Sequence, residues 1–128
     1  LLPVFDQSYS ALIGDLDERG LLDETLVICT SEHGRTPQID SAPRGGARHH
    51  WSRAYSSVFA GGGMARGRVV GSTDATAGDV LETPISPKDM QATAYHLLGY
   101  DETATVPDPQ GRPHPIAGTG RVRSELLR

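Results

Sequence analysis

Lysine is almost missing from this 128-residue chain: among twelve lysine and arginine side chains, Lys88 is the sole lysine. Positive charge is therefore carried by guanidinium groups, whose planar fork of donors matches a carboxylate or a tetrahedral oxyanion better than an ammonium does. Cysteine is equally scarce, and the lone Cys29 excludes an internal disulfide framework and a Cys-rich zinc site. No run approaches the roughly 20 apolar residues that span a bilayer, and the opening LLPVFDQSYS has no basic stretch ahead of its apolar residues. Neither a signal peptide nor a membrane partner is expected. GGGM lacks the GxGxxG spacing and the GxxxxGK[ST] lysine of a nucleotide loop, and Ser31, Ser56 and Ser57 have no neighbouring acid-base arrangement that would make a nucleophile.

Acidic residues are missing from one long stretch. The net charge is −4, yet no Asp or Glu occurs from Ser41 to Thr73, where Arg44, Arg48, Arg53, Arg66 and Arg68 stand with His49 and His50. Residues 1–40 are the reverse, with eight acids against Arg19 and Arg35. The acid-free block should attract anions. Its few aromatics and many glycines, within an acidic chain, argue against nucleic acid.

The length suits one ordinary domain, and Gly 15 with Pro 9 make it loop-rich. Phe5, Tyr9, Leu12, Ile13 and Leu16 recur at helical spacing, which predicts a helix from about Pro3 to Arg19 that stops at Gly20. The run TLVIC is apolar throughout and predicts a strand buried on both faces, as in a parallel sheet covered by helices. A second strand is expected over Ser57–Ala60, and GRVVG offers an edge strand. Ser86, Pro87 and Asp89 form a start signal for a helix running to Leu98, with Met90, Ala94, Leu97 and Leu98 as its buried stripe and Gly99 as its stop. From Asp101 onward the proline and glycine punctuation predicts an extended tail over 101–128.

The chemistry concentrates in TSEHGRTP and RHHW. Glu32 and His33 follow the first strand, where ligands gather in α/β sheets, and a carboxylate oxygen with a neutral imidazole nitrogen suits zinc or manganese. Gly34 is expected to permit a sharp turn there. An ordinary strand ending in a polar turn is the plainer alternative. His50 is the second imidazole, with Trp51 as a wall, and Arg35 and Arg48 are candidates to grip an oxyanion. His49 reads as a solvated loop residue, His96 as a packing or capping residue of the last helix, and His114 as part of the tail.

Taken in order, SEHGRTP, HHW, FAGGG, GRVVGSTD, SPKDMQATAYHLLG and GRPHPI resemble the C-terminal part of an uncharacterised family in the alkaline phosphatase and sulfatase superfamily, whose members read EFGRTP, GRDHW, LAGGG and HLLG. The resemblance covers nearly the whole chain. It implies a doubly wound α/β fold, with 1–128 as the C-terminal part of one such domain, and a two-metal site at the carboxyl edge of the sheet. Glu32 and His33 would hold one divalent ion, zinc or manganese, and His50 the other. Arg35 and Arg48 would serve an anionic small-molecule ester, phosphate or sulfate. The family often has phenylalanine at the position of His33 and aspartate at that of His49. The superfamily's nucleophile and other ligands lie upstream of the segment matched here, so the chain is expected to act with a missing N-terminal portion of the same protein and to be inactive by itself. Export to the periplasm or cell exterior is implied by the family alone. The competing reading is a non-catalytic anion-binding or structural domain.

Overall fold

Both helices stop by the same chemistry, and it is written in their sequences. In α2 (Pro87–Leu97), Gly99 takes a φ of 79°, Gly99 N–H bonds the carbonyl of His96 at 3.0 Å, and Tyr100 N–H bonds that of Tyr95 at 2.9 Å. In α1 (Leu2–Glu18), Gly20 has φ 69°, and the N–H groups of Gly20 and Leu21 bond the carbonyls of Asp17 and Leu16. Each is a Schellman closure, with glycine supplying the left-handed residue.

The start of α2 is equally local. The Ser86 hydroxyl accepts the N–H of Asp89 at 3.1 Å, and the Asp89 carboxylate accepts the N–H of Ser86 at 2.9 Å, with Pro87 opening the helix. Asp89 also accepts the N–H of Arg121 at 2.9 Å, and the buried Thr93 hydroxyl accepts that of Arg123 at 3.0 Å. A Cβ on Gly120 would overlap the Lys88 carbonyl oxygen, so this backbone lies directly on the first turn of α2. Burial pushes the Asp89 carboxyl up, but the Ser86 and Arg121 N–H groups, the Ser86 hydroxyl and the Arg123 guanidinium bring it below its ordinary value. A depressed carboxyl stabilises the fold above its unfolded pKa and loses that contribution as the pH falls through its folded one. Ser86→Ala should lower stability by about 1 kcal/mol in urea titrations at neutral pH. An unshifted midpoint would show that the box adds nothing.

The structure, a computed structural model, describes residues 2–41 and 46–128. Arg44 lies outside the described residues. The strands are β1 (Val27–Cys29), β2 (Gly34–Arg35), β3 (His50–Trp51), β4 (Val58–Ala60), β5 (Ser72–Thr73), β6 (Val80–Glu82), β7 (Thr105–Pro107) and β8 (Pro113–Pro115). They form four two-stranded sheets, β1-β4, β2-β3, β5-β6 and β7-β8, the last three antiparallel. The class is mixed α/β. No helix among the described residues is long and apolar enough to cross a membrane.

Two units divide the chain. One comprises Leu1–Val27, Phe59–Arg68 and Ser86–Arg128, and the other Ile28–Val58 and Val69–Ile85. Leu22, Met64, Ala92, Thr93 and Ala117 are buried in the first. Gly61, Gly62 and Gly63 all have positive φ there, and Gly62 N–H bonds the Leu22 carbonyl at 2.9 Å, so the glycine run is a close-approach turn. Ala54 is buried in the second unit.

Several expectations are corrected. TLVIC yields a three-residue strand whose Ile28 is 41% exposed, so its apolar content does not report burial on both faces. The buried residues of α2 are Ala92 and Thr93, while Leu98 is 63% exposed because it caps the helix instead of facing the core. GRVVG carries no strand; β5 begins just after it. Residues 101–128 are more than an extended tail: they hold the β7-β8 hairpin, a 3-10 turn at Ser124–Leu126 and the segment pinned to α2.

Candidate functional site

The candidate residues meet on an antiparallel ribbon in the second unit. Gly34 pairs with Trp51 and Arg35 with His50, and the bond from Thr36 N–H to the His49 carbonyl at 3.0 Å carries the pairing one step further. TSEHGRTP and RHHW are therefore two strands of one hairpin-like element, and side chains alternate between its faces. His33, Arg35, Arg48 and His50 fall on one face by this alternation; Gly34, Thr36, His49 and Trp51 fall on the other.

Observed contacts agree with that assignment. The rings of His33 and His50, diagonal neighbours across the ribbon, have centroids 5.1 Å apart and planes inclined by 31°. On the opposite face, Trp51 Nε1–H donates to the Gly78 carbonyl at 2.6 Å, and the Arg53 guanidinium carbon lies 5.9 Å from the indole centroid. Arg53 is held in turn by Asp79 at 2.7 Å. Trp51 therefore does not wall the imidazoles, as the sequence suggested; it anchors the back of the ribbon to the loop 74–79. That loop is organised by Asp74, whose carboxylate accepts the N–H groups of Thr76, Gly78 and Asp79 and the Thr76 hydroxyl. These donors, the Gly78 N–H first among them, hold the Asp74 carboxyl below its ordinary value.

Gly34 has a different task from the one expected. Its φ is not left-handed; instead a Cβ there would overlap the carbonyl oxygen of Ala54, so the residue is small because a second backbone crosses it. His49 sits on the exposed side, with Nε2 3.3 Å from Asp40 Oδ2 and its side chain 73% exposed. His96 is exposed in the last turn of α2, and His114 Nε2 lies 3.2 Å from Asp108 in the β7-β8 hairpin.

Glu32 precedes His33 and is exposed. Its own backbone N–H, most of all, holds the exposed carboxyl below the ordinary value; slight desolvation opposes this, and the charges of His33, His50 and Arg35 reinforce it. His33 adds an unusual feature: its Nδ1 is buried and has no hydrogen-bond partner. Such an atom normally carries a cost on the order of 1–3 kcal/mol, and a ligand is one way to remove it.

The donor types suit a divalent cation, and the two imidazoles stand close enough to act together. Among the described residues, however, no three His, Cys, Asp or Glu side chains converge tightly enough to hold an ion. Glu32, His33 and His50 do not form such a group. Sequence reasoning missed the Gly78 carbonyl and Asp79, which fix the back of the ribbon; the clustered Asp, Thr and Gly of DATAGD was the signal available.

No curated protein and no solved structure matches the chain. A family model does match, over residues 1–127, so the chain belongs to the family described as Protein of unknown function (DUF1501).

Proposed function

We propose that residues 1–128 furnish one side of the site of a metal-dependent hydrolase acting on phosphate or sulfate esters. The observation that supports it is the pairing of the His33 and His50 rings at 5.1 Å, beside a carboxylate that senses both and with one imidazole nitrogen buried and unpartnered. On this reading Glu32 and His33 serve one divalent ion, zinc or manganese, and His50 a second. When bound, such ions supply Lewis-acid stabilisation of the attacking and departing oxygens. Arg35 and Arg48 orient the anionic end of a small ester; the pairing of Arg35 with His50 across the ribbon supports this.

Three donors are fewer than a two-metal site uses, so the remaining ligands and the nucleophile have to come from outside these 128 residues. A doubly wound sheet completed by those residues would also cover apolar side chains now open, such as Ile28 and Val58. The chain alone should therefore bind metal and turn over nothing.

Calorimetric titration with zinc, then manganese, tests the reading. The double substitution His33→Ala with His50→Ala should weaken zinc binding by more than the roughly 10- to 100-fold that loss of an outer partner costs. Zinc affinity unchanged by the pair of substitutions would overturn the assignment. So would turnover of aryl phosphates or aryl sulfates by the purified chain.

A further inference from the structure

β2 and β3 are two residues each, and a two-stranded ribbon so short has little stability of its own. What aims the His50 ring must therefore come from outside the ribbon. The tip of the β5-β6 hairpin, residues 74–79, is what the second unit places behind it. Within that tip Gly78 alone is buried, and its carbonyl accepts the Trp51 indole N–H at 2.6 Å. A Cβ on Gly78 would stand 3.2 Å from Pro37 Cγ, so the same residue also lies against the chain that leaves β2. One buried glycine thus meets both arms of the ribbon.

Asp74 gives the tip its shape. Its Oδ1 accepts the N–H groups of Thr76 and Gly78 and the Thr76 hydroxyl at 2.8–2.9 Å, and its Oδ2 accepts the N–H of Asp79 at 3.1 Å. The backbone closes around the carboxylate, with Asp74 N–H bonded to the Asp79 carbonyl and Ala77 N–H to the Asp74 carbonyl, both at 3.0 Å. Ala77 is held there at φ 57°, a left-handed conformation that costs an L-residue energy and persists only where its surroundings impose it. With its oxygens engaged by the loop, this carboxylate shapes backbone and is no site for a cation. Its removal would free three N–H groups and let Ala77 relax, and the Gly78 carbonyl would lose its aim.

We infer that Asp74 is a positioning residue for the His33–His50 pair: it directs the Gly78 carbonyl at Trp51, and the indole so held fixes the rotation of the strand that carries His50. Adjacent strand residues project to opposite faces, so a Trp51 fixed behind the ribbon turns the His50 ring to the front, toward His33. The inference rests on the proposed metal reading only for what the imidazoles bind. The aiming itself belongs to the metal-free chain.

The test uses the full chain, first without metal. Cross-relaxation between the ring protons of His33 and His50 reports the pair, and emission from Trp51, the sole tryptophan, reports the anchor. Asp74→Ala should abolish the ring cross-peak and shift the emission to longer wavelength. Zinc affinity should fall about 10- to 100-fold, the range for loss of an outer partner. Asp74→Asn keeps an oxygen to accept from Thr76 and Gly78 and should recover most of each signal. Trp51→Phe, which keeps an aromatic ring but loses the indole N–H, should weaken the cross-peak and zinc binding as Asp74→Ala does, and combining the two should add little, because they break one line of contacts. Asp101→Ala is the control. Asp101 accepts the Thr103 N–H and hydroxyl as Asp74 accepts those of Thr76, yet it belongs to the other unit, and its loss should leave cross-peak, emission and zinc affinity unchanged. Should circular dichroism show Asp74→Ala unfolded, Trp51→Phe carries the same test through the ring cross-peak. A cross-peak as strong as the parent's in a folded Asp74→Ala or in Trp51→Phe, an Asp74→Asn no better than Asp74→Ala, losses that add in the double variant, or equal losses from Asp101→Ala would each overturn the inference. Zinc binding that ignores His33 and His50 while their cross-peak still needs Asp74 would remove the metal reading and keep the positioning role.

Discussion

Alanine at position 34 should cost about 3 kcal/mol of stability, the upper end of what overpacking does, and should open the ribbon that carries the candidate site. The new Cβ would overlap the Ala54 carbonyl oxygen and come within 3.2 Å of that of Trp51, and both are backbone atoms that cannot swing aside as a side-chain tip could. The strand would have to leave its partner, taking Arg35 away from His50. Urea titration gives the energy, and exchange rates of the ribbon amides give the location. A variant with the parent's midpoint and protected ribbon amides would show that the two backbones do not cross as described.

Gly61→Ala should be larger still. Gly61 has φ +72°, a conformation that costs an L-residue about 1–2 kcal/mol, and its Cβ would overlap the carbonyl oxygens of both Thr25 and Leu22. Strain and overlap together predict a loss of about 4 kcal/mol, enough to unfold a marginal chain. Gly67 is the internal comparison, because its φ is +65° but nothing lies within 4 Å of where a Cβ would be. Gly67→Ala should show the conformational part alone. Equal losses at the two positions would mean that crowding at Gly61 contributes nothing.

These two glycines show where the sequence could and could not be read. The helix ends were legible because their chemistry is local: Ser86 and Asp89 satisfy each other three residues apart, and Gly20 and Gly99 lie just past the residues they close. The constraint on Gly34 is not legible locally because it comes from Ala54, twenty positions away, and no short-range rule reveals a crossing backbone. Trp51 packs away from the imidazoles for a related reason. Its neighbour His50 drew it toward the imidazoles, whereas strand alternation turns adjacent residues apart, and the strand itself became visible only through its pairing across a long excursion. The apolar composition of TLVIC predicts double burial but says nothing about what lies beyond the strand. His33 and His50 stand out by residue type and position, and their ring centroids lie 5.1 Å apart.

Trp51 is the chain's sole tryptophan, and it is held from behind the imidazoles by the Gly78 carbonyl and the Arg53 guanidinium. The protein thus carries a native optical reporter on the reverse side of its most interesting surface. Intrinsic fluorescence follows this one hairpin without any label, so any change that opens or tightens the ribbon should register at the indole.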